Sequence, residues 1–170
     1  FDTHDKVNIT FKAKEGMGSV DGIKSFTEYK NGVFNTTIDL NADVLKYATQ
    51  EYILVTMYHE FIHAYLSYQV STLPYDQYSA KFPKVSEYEV KDSNGNIIKK
   101  YTLIKDHKNY GSFIESLKNS IISFNPVITS SYAEALAKNG IVESLTENES
   151  KINRNERDTR NNEYKGKKCP

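Results

Sequence analysis

The chain is poor in the residues that usually build small metal sites and disulfide frameworks. Among its 170 residues there are one cysteine, Cys169, no tryptophan and four histidines. A single thiol excludes an internal disulfide and a zinc site made from several cysteines of one chain. Any metal ion would therefore have to be held by histidine and carboxylate side chains.

Long apolar runs and an excess of one charge are also missing. Lysine plus arginine number 22, as do aspartate plus glutamate, so neither nucleic acid nor an acidic membrane surface is expected as a partner. No run approaches the roughly 18 apolar residues of a membrane-spanning helix, and no signal peptide is recognised. Because the chain starts at Phe1 and not at Met, we expect a mature product or an excised domain, either part of a secreted effector or cytoplasmic.

One stretch carries the residues of a metal site. The motif His-Glu-x-x-His occupies residues 59–63 within the apolar run 57–66. Residues four apart share a helix face, so the imidazoles of His59 and His63 can point at one ion. Glu60 lies about 100° around the helix from His59 and can reach a water bound to that ion. The motif predicts a catalytic zinc site; the alternative is two ordinary helix histidines beside a solvated glutamate.

The motif is expected on a long helix that begins at Gln50, is capped by Thr49 and ends near Gln69. Apolar side chains spread over more than half of the helix circumference: Ile53, Leu54, Met57, Phe61, Ile62 and Leu66. A helix this apolar is typical of the centre of a core. The two histidines are therefore predicted on a rigid, buried support.

The remaining pattern predicts an α+β domain with a small, mainly antiparallel sheet packed on the motif helix. Apolar and polar residues alternate over positions 7–11, which predicts one strand. The stretch 32–40 is rich in β-branched and aromatic residues and predicts another. An Asn-Gly pair between two β-rich runs predicts a hairpin inserted at about residues 84–104. The domain is expected to cover residues 1–145, because 146–170 are polar and charged and predict a solvated helix or tail outside the core.

A catalytic zinc normally takes three protein ligands, so the motif needs one more. His107 is the first candidate, because it lies where a loop enters a later helix, whereas His4 lies in a polar N-terminal stretch. Glu134 is the alternative, either as the third ligand or as a carboxylate that accepts a hydrogen bond from a ligating imidazole. Both residues also fit a plain surface position, and the sequence leaves these alternatives open.

Three segments resemble parts of the SprT-like zinc metallopeptidases: Ile38-Asp39-Leu40-Asn41, His59-Glu60-x-x-His63-Ala64-Tyr65-Leu66 and Asp106-His107-x-x-Tyr110. The resemblance covers roughly residues 32–145 and is most specific at the zinc motif. It implies a zincin-like fold of the compact bacterial type, with Glu60 as the catalytic base. In that fold Zn²⁺ would be bound by His59, His63 and His107.

The sequence thus predicts a monomeric zinc peptidase that acts on a protein or peptide substrate. An extended substrate is expected to add to the strand that ends at Leu40, and Tyr110 or Tyr132 is expected to supply a second oxyanion donor. Three other functions stay open. One is a toxin or effector peptidase module of a larger secreted protein, neutralised by a cognate immunity protein. Another is a non-catalytic zinc-binding interaction domain, and the third is a purely structural zinc domain with a fourth protein ligand.

Overall fold

The computed structural model describes the backbone of residues 6–81, 85–91, 97–103, 107–142, 145–161 and 163–169, and the side chains of these residues except those between 82 and 112. Within these ranges the fold is α+β, as predicted, with a three-stranded sheet, a separate two-stranded hairpin and six α-helices. None of the described helices combines the length and apolar character needed to cross a membrane.

The elements follow one another in a simple order along the chain. The strands are β1 (Lys6–Lys14), β2 (Gly22–Lys30), β3 (Val33–Asn41), β4 (Val85–Lys91) and β5 (Ile97–Leu103). The helices are α1 (Ala42–Tyr47), α2 (Gln50–Thr72), α3 (Tyr75–Lys81), α4 (His107–Phe124), α5 (Ser130–Ala137) and α6 (Glu147–Arg157), followed by a 3₁₀ turn at Thr159–Asn161.

The three-stranded sheet is mixed, whereas the sequence predicts a mainly antiparallel one. Its strand order is β1-β3-β2, with β1 parallel and β2 antiparallel to the central β3. A tight turn at Asn31 and Gly32, both with positive φ, returns the chain from β2 directly into β3 and makes an antiparallel pair. β1 and β2 are consecutive in the chain but are not neighbours in the sheet. β3 lies between them and runs parallel to β1.

The motif helix α2 lies between the sheet and the other helices. On one side Ala64 packs against Ile38 and Leu40 of β3. On the other side its apolar residues join a larger buried cluster with α4 and α5, which includes Val55, Ile62, Leu66, Leu117, Ile121 and Leu136. Both faces of the helix are thus held, and the side chains of the motif are carried by a central element.

Local side-chain caps fix where the first two helices begin. Thr49 caps α2 by accepting a hydrogen bond from the Tyr52 amide, as the sequence predicts. Asn41 caps α1 through the Asp43 amide, and its Nδ2 also donates to the carbonyls of Gly18 and Val20. The Asn41 side chain therefore ties the connection between β1 and β2 to the end of β3.

The C-terminal segment packs against the core through a few buried polar residues, although the sequence predicts a solvated helix or tail outside the core. Glu156 of α6 is fully buried, and residues 163–169 cross the start of α2, where Thr49 pairs with Lys168 and the Gln50 amide donates to the Lys167 carbonyl. The sequence does not reveal these contacts, because apolar patterning does not register burial through hydrogen-bonded polar groups. The domain boundary between residues 145 and 146 stays a prediction.

Candidate metal centre and cleft

The helix brings the three polar residues of the motif to one point. The Nε2 atoms of His59 and His63 are 2.9 Å apart, and Glu60 Oε1 lies 3.7 Å from His59 Nε2. Among the described side chains, these three residues form the one group of three or more His, Cys, Asp or Glu ligands gathered closely enough to hold a metal ion. The one-turn spacing thus produces the convergence that the sequence predicts.

The donor set fits a zinc ion. Zinc accepts imidazole nitrogen, and Zn–N distances of about 2.0–2.1 Å in a tetrahedral site place two ligand nitrogens about 3.3 Å apart. The observed spacing of 2.9 Å between the Nε2 atoms differs from this by less than about half an ångström, which a small rotation of either ring removes. The residues present therefore fit a metal ion bound between His59 and His63.

The motif residues are shielded from water to different degrees. Glu60 is 1% exposed and His63 is 3% exposed, whereas His59 is half-buried and faces an opening. In such a dry environment, interactions between charges are stronger than in water. The site is therefore accessible from the side of His59.

A cleft of about 270 Å³ lies at that opening. Its first wall is the segment 20–22, at the start of β2, and its second wall is the turn of Asn139 and Gly140 after α5; Val55 and Thr56 of α2 complete it. At the first wall a Cβ placed on Gly22 would lie 2.8 Å from Glu60 Cγ. The wall can approach Glu60 so closely because residue 22 has no side chain.

A hydrogen-bond network joins both walls of the cleft to distant parts of the chain. The Asp21 carboxylate accepts from the Tyr52 hydroxyl at 2.6 Å and from Arg157 Nε at 2.6 Å. Asn139 Nδ2 in turn donates to the Tyr52 hydroxyl at 3.2 Å. Burial raises the pKa of Tyr52, and the adjacent Asp21 charge raises it further, so the phenol stays protonated and donates to the carboxylate.

Sequence reasoning does not find this network. Its four residues stand on the β1–β2 connection, α2, the turn after α5 and α6, and Arg157 is separated from Asp21 by 136 positions. No local spacing or motif connects them, because they meet only when α6 packs beside the cleft. The cleft therefore depends on a part of the chain that the sequence places outside the domain core.

The other predicted site residues are placed as follows. His107 is the first residue of α4, but its side chain, that of Tyr110, and His4 lie outside the described residues. Glu134 is not brought to the motif: its carboxylate is 43% exposed and lies 2.8 Å from Lys138 Nζ. The Tyr132 hydroxyl donates to Glu156 Oε1 at 2.5 Å and does not point to the motif.

Comparison with known protein families gives a match to a described family. The SprT-like family model matches residues 1–96, which is more than half of the chain. These residues include β1 to β3, the motif helix and the first wall of the cleft, but neither the second wall nor Arg157. No curated protein and no solved structure matches the chain.

Proposed function

The chain belongs to the SprT-like family, and we propose that it is a zinc-dependent metallopeptidase. The observation that carries the proposal is the convergence of His59 Nε2 and His63 Nε2 at 2.9 Å, with Glu60 Oε1 3.7 Å from His59 Nε2 at the cleft. The motif helix packs beside a small sheet, and the edge strand β2 flanks the site; the zincin-like fold itself is part of the proposal.

Glu60 is the proposed general base. A zinc ion held by the two imidazoles would supply Lewis acidity toward a water and a peptide carbonyl. Glu60 accepts a proton from that water and later donates it to the leaving amine, which are the two roles of a general acid–base residue. Its carboxylate borders the cleft, so the scissile peptide is expected to approach from the open side, next to His59.

The substrate is proposed to bind along β2, which replaces the sequence-based expectation of the strand that ends at Leu40. That strand, β3, is hydrogen-bonded on both sides by β1 and β2, so it has no free edge for another strand. β2 is an edge of the described sheet, and its first residue, Gly22, packs on Glu60. An extended peptide paired with β2 would therefore pass the proposed base.

Gly22→Ala is expected to lower peptidase activity about 100-fold while zinc stays bound. The new Cβ would meet Glu60 Cγ at 2.8 Å and must displace the carboxylate, and a displacement of about 1 Å can cost about 100-fold in rate. The backbone at Gly22 does not have a positive φ, so no strain is added there. Steady-state kinetics with zinc analysis of the same samples checks this; unchanged kcat would show that Glu60 tolerates the contact.

The third ligand is proposed to be His107, with Glu134 as the alternative. Zinc content measured for alanine variants of His59, His63, His107 and Glu134 separates the two. We expect about one zinc per wild-type chain, loss of zinc in each histidine variant, and retention in Glu134→Ala because that carboxylate pairs with Lys138. Retention in His107→Ala together with loss in Glu134→Ala would reverse the assignment.

A further inference from the structure

Gly140 lies against the ring of His59 on the edge opposite the proposed metal. A Cβ placed on Gly140 would be 2.6 Å from His59 Nδ1, 2.8 Å from Cε1 and 3.3 Å from Cγ. The other ring nitrogen, Nε2, faces His63. The ring is therefore enclosed between its partner histidine and the backbone of the turn that follows α5.

This turn is firmly held on both sides of Gly140. Before it, the Asn139 amide donates to the Leu136 carbonyl, and the Asn139 side chain donates to the hydroxyl of Tyr52 on α2. After it, Ile141 is buried in the core cluster, and its amide donates to the Lys138 carbonyl. The turn is thus anchored to the motif helix itself and cannot easily yield to a larger residue.

We propose that Gly140 is a positioning residue for the metal centre, because its backbone packs against the Nδ1 edge of His59 and thereby fixes the direction in which Nε2 points. The proposal rests on the zinc site proposed above. Groups that orient a ligating imidazole from behind typically change metal affinity by about 10- to 100-fold when they are altered. A side chain at position 140 would rotate the ring and aim Nε2 away from the point shared with His63.

The chain provides a matched control at Gly32. Both glycines have a positive φ, +71° at Gly140 and +74° at Gly32, so alanine introduces comparable backbone strain at each. No atom lies within 4 Å of a Cβ placed on Gly32. The two alanine variants therefore differ in the contact with His59, whereas their local backbone strain is shared.

The test measures zinc affinity of the full chain by competition with a chromophoric chelator, together with the visible spectrum of the Co²⁺-loaded protein. Gly140→Ala is expected to bind zinc about 10- to 100-fold more weakly and to show an altered Co²⁺ spectrum. Gly32→Ala is expected to keep wild-type affinity and spectrum. Gly140→Asn tolerates the left-handed backbone better and is expected to lose affinity like Gly140→Ala.

Wild-type zinc affinity in both Gly140 variants would overturn the proposal. So would an equal loss in Gly140→Ala and Gly32→Ala, because backbone strain alone would then explain it. If Gly140→Ala fails to fold, the asparagine variant decides by the same two measurements. Metal binding is measured without substrate, so absence of peptidase activity in the wild type would refute the proposed function and leave the role of Gly140 testable.

Discussion

Glu60→Gln is expected to slow peptide hydrolysis strongly while zinc remains bound. Glutamine matches glutamate in shape but cannot accept the proton of the attacking water, and a general base typically contributes about 100- to 10,000-fold in rate. Glu60 is 1% exposed, so bulk water cannot readily replace it. We therefore expect kcat to fall by about that factor, measured on an unfolded protein substrate and on the chain itself.

The matched control is Glu115→Gln, which makes the same chemical change on the surface of α4. The Glu115 side chain is 57% exposed and pairs with Lys118, so activity and zinc content are expected to stay at wild-type values. If zinc-loaded wild type and Glu60→Gln are equally inactive, the peptidase proposal is wrong and a non-catalytic zinc-binding interaction domain takes its place. Full activity in Glu60→Gln would show that another residue is the base.

Glu156→Ala is expected to destabilise the protein by about 3–5 kcal/mol, the range for removing one partner from a buried ionic or hydrogen-bonded group. The fully buried carboxylate accepts from Tyr132 OH at 2.5 Å and from Thr49 Oγ1 at 2.5 Å. It also accepts from the amides of Lys165 at 2.6 Å and Gly166 at 3.2 Å. Alanine would leave these four donors without their acceptor, and two of them, the hydroxyls of Tyr132 and Thr49, lie in buried positions.

The loss of stability in Glu156→Ala is expected to extend to the motif helix, because Thr49 is the N-cap of α2. Denaturant unfolding of wild type and variant gives the free energy difference directly. Glu163→Ala is the control: it lies in the same C-terminal segment, but its side chain is 57% exposed and pairs with Lys151, so stability close to that of the wild type is expected. Similar small changes in both variants would contradict the stabilising role of Glu156.

The metal motif is the part of the site that the sequence predicts best. A one-turn spacing on a helix fixes the relative positions of His59, Glu60 and His63 without any tertiary information. The cap at Thr49 is equally local, and so is the Asn-Gly pair that predicts antiparallel strands, which β4 and β5 form. Each of these features depends on residues within a few positions of one another.

The features that the sequence does not reveal depend on distant contacts or on atypical burial. β2 escapes detection because most of it is exposed on both faces, with Ser25 to Lys30 accessible to solvent, so it lacks the alternation of a half-buried strand. The partnership of Asp21 with Arg157 needs α6 to be in place. Glu51 and Glu156 look like ordinary surface residues, yet both are fully buried and satisfied by amide and hydroxyl donors.

The contact between the C-terminal segment and α2 also has a consequence for synthesis. Glu51, in the first turn of the motif helix, accepts a hydrogen bond from the Lys167 amide, which follows it by 116 positions in the chain. At about 5–20 residues per second, a ribosome needs about 6–23 s to cover that interval. For most of this time the nascent chain carries the whole zinc motif but lacks this contact with its helix, so the start of α2 acquires its full set of hydrogen bonds only after residues 163–169 have been synthesised.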